Sequence, residues 1–352
     1  MRRSLRPNGV AGQARDAFRL RYGISAREGR VIRVYSIEQG RISVREVAVG
    51  GPWPADLVWI DLLQLDTAEE KAVEQHFGLD IPTREEMAEI EASSRLYHTT
   101  NASFMTATLV TNADTTNPES SVVTFIVTES LLITVRDADP LPFRTFTAHA
   151  QRHPDEYTRH DAVLLGLLEA VVDRLADILE SAQAQLDDIS REIFANRQGK
   201  AKPDYQDVLK RIGRNGDLIS KARESLVSIA RIGAFAQPLE SLRRHKTTQA
   251  QIKTLQQDVS SLSDHASFLN TKVSLLLDAT LGMISIEQNA TIKIFSVVAV
   301  VFLPPTLIAS IYGMNFRYMP ELDWPFGYPL ALLAMVISAI LPYVFFKRRG
   351  WL

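Results

Sequence analysis

A short segment near the C-terminus, Gly313-Met314-Asn315, offers oxygen acceptors without carrying any charge. Gly313 permits backbone conformations that turn carbonyl groups toward an axis, and Asn315 adds a side-chain amide oxygen. Neutral oxygens of this kind can accept hydrogen bonds from the water molecules around a metal ion. The segment therefore suits recognition of a hydrated cation.

Small and polar residues lead up to this segment along one helical face, called the polar stripe below. Alternate steps of four and three residues select Asp278, Gly282, Ser285, Asn289, Ile292, Ser296, Ala299, Leu303, Thr306, Ser310 and Gly313. The average step of about 3.5 residues suits helices packed around a common axis. Small and hydroxylated residues in an apolar helix mark helix contacts or a watery lumen. The pattern fits a packing seam in a helical dimer and a pore equally well.

Two members of the polar stripe, Ile292 and Leu303, are bulky and apolar, and rings of such residues can block ions by expelling water. Asn289 and Thr306 offer oxygens to the water around a passing ion. Pro304-Pro305 removes two helix donors beside Leu303, which frees carbonyl groups and permits a bend. We expect a path for ions with an apolar gate.

Two uncharged stretches must hold these residues in a membrane. Ile294–Ile311 and Phe326–Phe346 contain no charged residue, and each is close to the roughly 20 apolar residues that a helix needs to cross a bilayer. The short loop Tyr312–Pro325 makes them a hairpin. Because Lys293 precedes the first stretch and Lys347-Arg348-Arg349 follows the second, the positive-inside rule predicts that the N-terminal part and the C-terminus are cytoplasmic.

The first stretch continues a longer helical segment. Between Pro238 and Pro304 there is no other proline and a single glycine, Gly282. An uninterrupted helix from near Thr247 to Tyr312 would be on the order of 100 Å long at about 1.5 Å per residue. We expect a stalk that becomes the first membrane span without a break.

Upstream of the stalk, two patterns follow one another. From about residue 25 to 150 the apolar residues alternate, which predicts strands at Val31–Tyr35, Ile42–Val47, Leu57–Leu62, Phe104–Val110, Val122–Val127 and Leu131–Val135. Helices are predicted at Asp66–Phe77, with Thr67 as its cap and Glu70 three residues on, and at Thr83–Glu91. Long helices follow at Asp161–Asn196 and from Asp204 to about Phe235. The fold class is a mixed α/β domain followed by long helices.

Four carboxylates, Glu169, Asp173, Asp177 and Glu180, fall along one face of the first long helix. A solvated helix surface explains such a face without any ligand. The alternative, a surface that concentrates cations, is implied only by the resemblance of the C-terminal motifs to a known family.

The C-terminal motifs resemble those of the CorA family of divalent-cation channels. The resemblance rests on Tyr312-Gly313-Met314-Asn315-Phe316, on Met319-Pro320-Glu321-Leu322, on the two spans and on the basic tail. It extends upstream through Ile81–Met87 and Glu287-Gln288-Asn289, which are similar to the proteobacterial branch.

The resemblance implies a funnel-shaped homopentamer in the bacterial inner membrane that takes up Mg²⁺ passively, with Co²⁺ and Ni²⁺ as poorer substrates. Gly313, Met314 and Asn315 would form the selectivity filter, and the polar stripe from Asn289 to Ser310 would line the pore. Mg²⁺ sheds its water reluctantly, so a filter of neutral oxygens can recognise it hydrated. Glu321 in the external loop would raise the local cation concentration, or is a simple surface carboxylate.

The resemblance also implies that Mg²⁺ bound between cytoplasmic domains holds the channel closed, so that Mg²⁺ is both substrate and regulatory ligand. The candidate ligands are Glu85, Glu86, Asp258, Asp264 and Asp278. The expected layout is an α/β domain at 1–160, a helical hairpin at 161–246, a stalk at 247–292, spans at 293–312 and 326–346, an external loop at 313–325 and a basic tail at 347–352.

Composition removes several classes of function. The chain has no cysteine and a net charge of −2, so thiolate metal sites are excluded and nothing indicates nucleic acid. No phosphate-binding loop or hydrolase motif is present, and we expect neither an enzyme nor an organic cofactor. Two alternatives stay open: a Zn²⁺ transporter of the same fold, and a non-conducting membrane-tethered oligomer that binds a partner.

Overall fold

A seven-stranded mixed sheet dominates the N-terminal part of the computed structural model, which describes residues 31–48, 51–194, 203–315, 319–320 and 324–349. The strand order is β2-β1-β3-β7-β6-β5-β4. The strands are β1 (Val31–Glu38), β2 (Arg41–Ala48), β3 (Leu57–Leu63), β4 (Leu96–His98), β5 (Ser103–Thr111), β6 (Glu119–Val127) and β7 (Leu132–Arg136). All six predicted strands are confirmed, whereas the short β4 was not predicted.

The central pair β3 and β7 is parallel, with Trp59 opposite Leu132, and the other neighbours are antiparallel. Every residue of β5 is buried, so the sheet is covered on both faces, which is usual where strands read as continuous apolar runs. Tyr35 and Trp59 stack at 4.0 Å between ring centroids.

A buried ion pair joins the two central strands. The Arg136 guanidinium donates from Nε to Asp61 Oδ1 at 2.9 Å and from Nη2 to Asp61 Oδ2 at 2.7 Å. Both side chains are 2% exposed. The Thr134 hydroxyl donates to Asp61 Oδ1 at 2.9 Å and accepts the indole N–H of Trp59 at 3.0 Å. The charges of the sheet interior are thus matched within one chain.

The short helices differ in detail from the predictions. They are α1 (Thr67–Phe77), α2 (Arg84–Ala88), α3 (Ala92–Arg95) and α4 (Leu141–Arg152). The predicted cap Thr67 is wrong: Asp66 caps α1, because its Oδ1 accepts the N–H groups of Ala68 and Glu69. Helix α2 ends before Glu91 because Glu89 adopts an extended backbone with ψ of 142°.

Long helices make up the rest of the described chain. They are α5 (His160–Phe194), α6 (Tyr205–Ala236), the short α7 (Glu240–Arg243), α8 (Lys246–Tyr312) and α9 (Gly327–Arg348). The uninterrupted α8 spans 67 residues, about 100 Å at 1.5 Å per residue, which confirms the predicted rod. Gly166 interrupts the apolar pattern of α5 because a Cβ there would lie 2.5 Å from the Phe146 ring.

The chain divides into two compact units. One contains the residues up to Leu186 with Gly213–Lys272, and the other contains Asp187–Ile212 with Val273–Leu352. Helices α8 and α9 are long and apolar enough to cross a membrane, and no described residue of α9 is buried. The domain boundaries predicted from the sequence stay predictions.

Candidate functional site

Helix α8 has two distinct faces in its apolar part. Val297 is buried, and Val301, Pro304, Pro305 and Ile308 are partly covered within the chain. At about 100° per residue, the polar stripe lies on the opposite side of the helix from these residues. All of its members from Asp278 to Gly313 are exposed. The chain's own packing therefore uses one side of α8 and leaves the polar stripe uncovered.

The two bulky members of the polar stripe are far more exposed than apolar side chains normally are. Ile292 is 60% exposed and Leu303 is 65% exposed, and off-stripe apolar residues of α8 such as Phe302, at 65%, are equally exposed. Neither position matches the covered face of α8. Contacts for these two side chains must come from outside the single chain or from lipid.

Thr306 on the polar stripe offers an oxygen to water, whereas Pro304 and Pro305 lie on the covered face of α8. Pro304 and Pro305 lie inside α8 and lack N–H groups, so the carbonyls of Val300 and Val301 lose their usual helical donors. The Thr306 hydroxyl donates to the Phe302 carbonyl at 2.7 Å. Since that bond uses its proton, the Thr306 oxygen is left as an acceptor for water.

The helix ends at the candidate filter. The N–H of Gly313 donates to the Ala309 carbonyl at 2.9 Å, and the N–H of Met314 donates to the Ile311 carbonyl at 3.3 Å. A Cβ on Gly313 would lie 3.0 Å from the Ala309 carbonyl oxygen, so close packing favours glycine here. Asn315 is exposed, and its amide makes no hydrogen bond to any described residue. Glu321 lies outside the described residues.

The predicted regulatory carboxylates are all on the surface. Glu85, Glu86, Asp258, Asp264 and Asp278 are exposed. Glu86 closes a capping box, because its Oε2 accepts the Thr83 N–H at 2.8 Å, and this bond and the Thr83 hydroxyl lower the pKa of Glu86. Across the described ranges, no group of three or more histidine or acidic side chains could hold a metal ion within one chain.

The acidic face of α5 interacts electrostatically with one of these candidates, Asp258. Burial raises the pKa of Glu169, and the charges of Asp173 and Asp258 raise it further. Burial also raises the pKa of Asp173, with contributions from Asp177 and Asp258. The helix periodicity predicted the acidic face itself, but no sequence signal places Asp258 of α8 against α5. This electrostatic interaction between distant segments was missed.

The comparison with known proteins decides the family. The profile of the CorA-like Mg²⁺ transporter protein family matches residues 54–348. The chain belongs to this family. The magnesium transport protein CorA of Escherichia coli (strain K12) is 34% identical over 322 residues, covering 92% of this chain and all of that one.

Solved CorA-like structures share the fold. The CorA magnesium transporter from Methanocaldococcus jannaschii has a TM-score of 0.70 at 17% identity, covering 92% of this chain and 98% of that chain. The full-length CmaX protein has a TM-score of 0.64 at 15% identity, covering 93% of this chain. For a CorA-like membrane transporter, lipid accounts for the exposed apolar surface of α9.

Proposed function

We propose that this CorA-like protein is a passive channel for Mg²⁺ uptake across the inner membrane, with Co²⁺ and Ni²⁺ as poorer substrates. The supporting observation is the polar stripe, which is exposed opposite the covered face of α8 and leads to Gly313-Met314-Asn315. A membrane potential that is negative inside favours entry of a divalent cation by about 4.6 kcal/mol per 100 mV, twice the single-charge value. No coupled energy source is needed.

The channel is a homo-oligomer, a pentamer by analogy with the family, in which copies of α8 surround the pore. The exposed Ile292 and Leu303 support this arrangement, because apolar side chains on a stripe of about 3.5-residue period suit contacts between copies of one helix. Phe268 and Leu275 are exposed seven residues apart further along α8. They extend the same apolar spacing toward the cytoplasmic end.

Ion selection takes place at the outer end of α8, where backbone carbonyls of Gly313 and Met314 and the Asn315 amide contact the hydration shell. Mg²⁺ keeps several waters in near-octahedral geometry. Neutral oxygens that bind those waters avoid the cost of stripping the ion. Glu321 near the mouth attracts cations.

Closure combines an apolar gate with feedback from internal Mg²⁺. Rings of Ile292 and Leu303 side chains exclude water when the α8 helices are close together. Internal Mg²⁺ bound by Glu85, Glu86, Asp258, Asp264 and Asp278 across subunits screens their repulsion and holds this state. Depletion of Mg²⁺ lets the subunits separate.

Both termini are cytoplasmic.

Mg²⁺ influx into proteoliposomes with an internal Mg²⁺ dye tests this function. We expect wild-type uptake that high internal Mg²⁺ suppresses, and loss of uptake in Asn315→Ala but not in Asn117→Ala, an exposed asparagine of the β5–β6 loop. Zn²⁺ flux without Mg²⁺ flux would instead support the zinc transporter. Absence of any cation flux from the assembled protein would support the non-conducting tether.

A further inference from the structure

A basic cavity lies in the unit that holds the β-sheet, and none of its lining residues belongs to the polar stripe or the candidate filter. Its volume is about 420 Å³, within the usual range for small-molecule sites. Its walls come from α6 between Ser220 and Arg231, from Thr108 of β5, from Asn270 of α8, and from the segment that carries Ile90 and Arg95.

Three arginines line this cavity: Arg95, Arg223 and Arg231. Arg223 and Arg231 are eight residues apart, which places them on one side of α6 about 12 Å apart along its axis. Both are exposed, and neither forms an ion pair or hydrogen bond with the residues that the structure describes. Glu224 is the acidic residue of the lining, so the cavity carries a net charge of 3 − 1 = +2.

Arg95 is held in place by the protein. Its Nε donates to the Glu89 carbonyl, and its Nη1 donates to Thr108 Oγ1 at 3.0 Å. Thr108 is fixed in turn, because its N–H donates to the Ser228 hydroxyl at 3.1 Å. A guanidinium anchored on two sides is a preorganised anion contact, since little side-chain freedom remains to be lost.

An apolar surface adjoins the three charges. Ile90 is 87% exposed, and Val227, between the two α6 arginines, is also exposed. The site thus combines separated guanidinium groups with a small apolar wall. A ligand that satisfies both carries more than one anionic group and a flat or apolar part.

We propose that this cavity binds a small phosphate-bearing anion of the nucleoside di- or triphosphate class. Guanidinium groups match phosphate oxygens in bidentate geometry. A polyphosphate chain can reach several arginines that are spaced along a helix, whereas a single carboxylate cannot. The base would lie against Ile90 and Val227. This binding is independent of the transport activity.

Isothermal titration calorimetry of the full-length protein in detergent, in Mg²⁺-free buffer with ATP as the probe, tests the proposal. We expect ATP binding that the double variant Arg223→Gln/Arg231→Gln weakens at least about tenfold. The matched control Lys210→Gln/Arg214→Gln removes the same charge from the same helix outside the cavity, and we expect a change below about twofold.

Two further measurements separate the contribution of the apolar wall from that of the phosphate contacts. Ile90→Ser should weaken ATP but leave tripolyphosphate, which has no base, unchanged, and inorganic phosphate should bind more weakly than either. Thermal unfolding confirms that each variant is folded. The proposal is overturned if the wild type binds neither ATP nor tripolyphosphate, or if the two double variants lose affinity equally.

Discussion

The β-sheet and the membrane part of α8 differ in whether their polar and exposed groups are matched or covered within one chain. In the sheet, the buried Asp61 and Arg136 match each other through two hydrogen bonds, and Thr134 completes the network. Along α8, the polar stripe and the bulky Ile292 and Leu303 have no cover within the chain. The polar network of the sheet is complete in one chain, whereas the polar stripe of α8 is left uncovered by its own chain.

The largest expected effect on stability concerns the buried pair of Asp61 and Arg136 in the sheet. Asp61→Asn should lower the free energy of unfolding by about 3–5 kcal/mol, because it leaves the Arg136 charge buried without its carboxylate. Thermal unfolding followed by tryptophan fluorescence measures this. Asp155→Asn is the control: its pair with Arg41 is about two-thirds exposed and should contribute less than about 1 kcal/mol. Equal shifts in the two variants would show that the sheet does not depend on the buried pair.

An intermediate effect is expected at the uncovered stripe. Leu303→Ser should raise Mg²⁺ flux at high internal Mg²⁺ by about tenfold, since a barrier lower by about 1.4 kcal/mol gives that factor and a hydroxyl keeps the constriction wet. The unfolding temperature should change little, because Leu303 is 65% exposed within its own chain. Proteoliposome flux measures the leak.

Val298→Ser is the matched control for this leak, since Val298 is exposed on α8 away from the polar stripe. It should conduct like the wild type. A leak of equal size in both variants would place the barrier elsewhere.

The smallest expected effect on stability concerns Glu169 of α5, whose pKa is raised by burial and by the charges of Asp173 and Asp258. The raised pKa of Glu169 means that its protonated form is favoured in the folded state, so this group costs stability as the pH rises from the unfolded toward the folded pKa. Glu169→Gln should therefore raise the unfolding temperature at pH 7.5 by on the order of 1–3 °C, as expected from a like-charge i,i+4 pair. The gain should vanish in acid.

Glu180→Gln, on the same acidic face but more exposed, serves as the control and should change the unfolding temperature less. A gain for Glu169→Gln that persists unchanged at low pH would show that charge is not its cause.

Local patterns predicted most of the fold. Alternating apolar residues located the strands, and the lack of proline between Pro238 and Pro304 predicted α8. The cap of α1 was misplaced by one residue because Asp66 and Thr67 are both good caps, and only the backbone geometry distinguishes them. The three residues of β4 are too few for a period to be visible.

Contacts between distant segments escaped prediction. The pair Asp61–Arg136 joins residues 75 apart, and nothing local to either residue indicates the other. The electrostatic interaction of Glu169 with Asp258 depends likewise on how α5 and α8 pack. At the candidate site, the sequence alone predicted the filter motif and the period of the polar stripe. Which side of α8 the chain itself covers required the structure.

Cysteine accessibility measures directly whether the polar stripe faces water. Because the chain has no cysteine, single variants can be labelled in intact membranes with a water-soluble thiol reagent without background. We predict rapid modification of Ser296→Cys and Ser310→Cys in Mg²⁺-depleted membranes and none of Val297→Cys or Ile308→Cys. Modification of the covered positions with protection of the two serine positions would contradict the account.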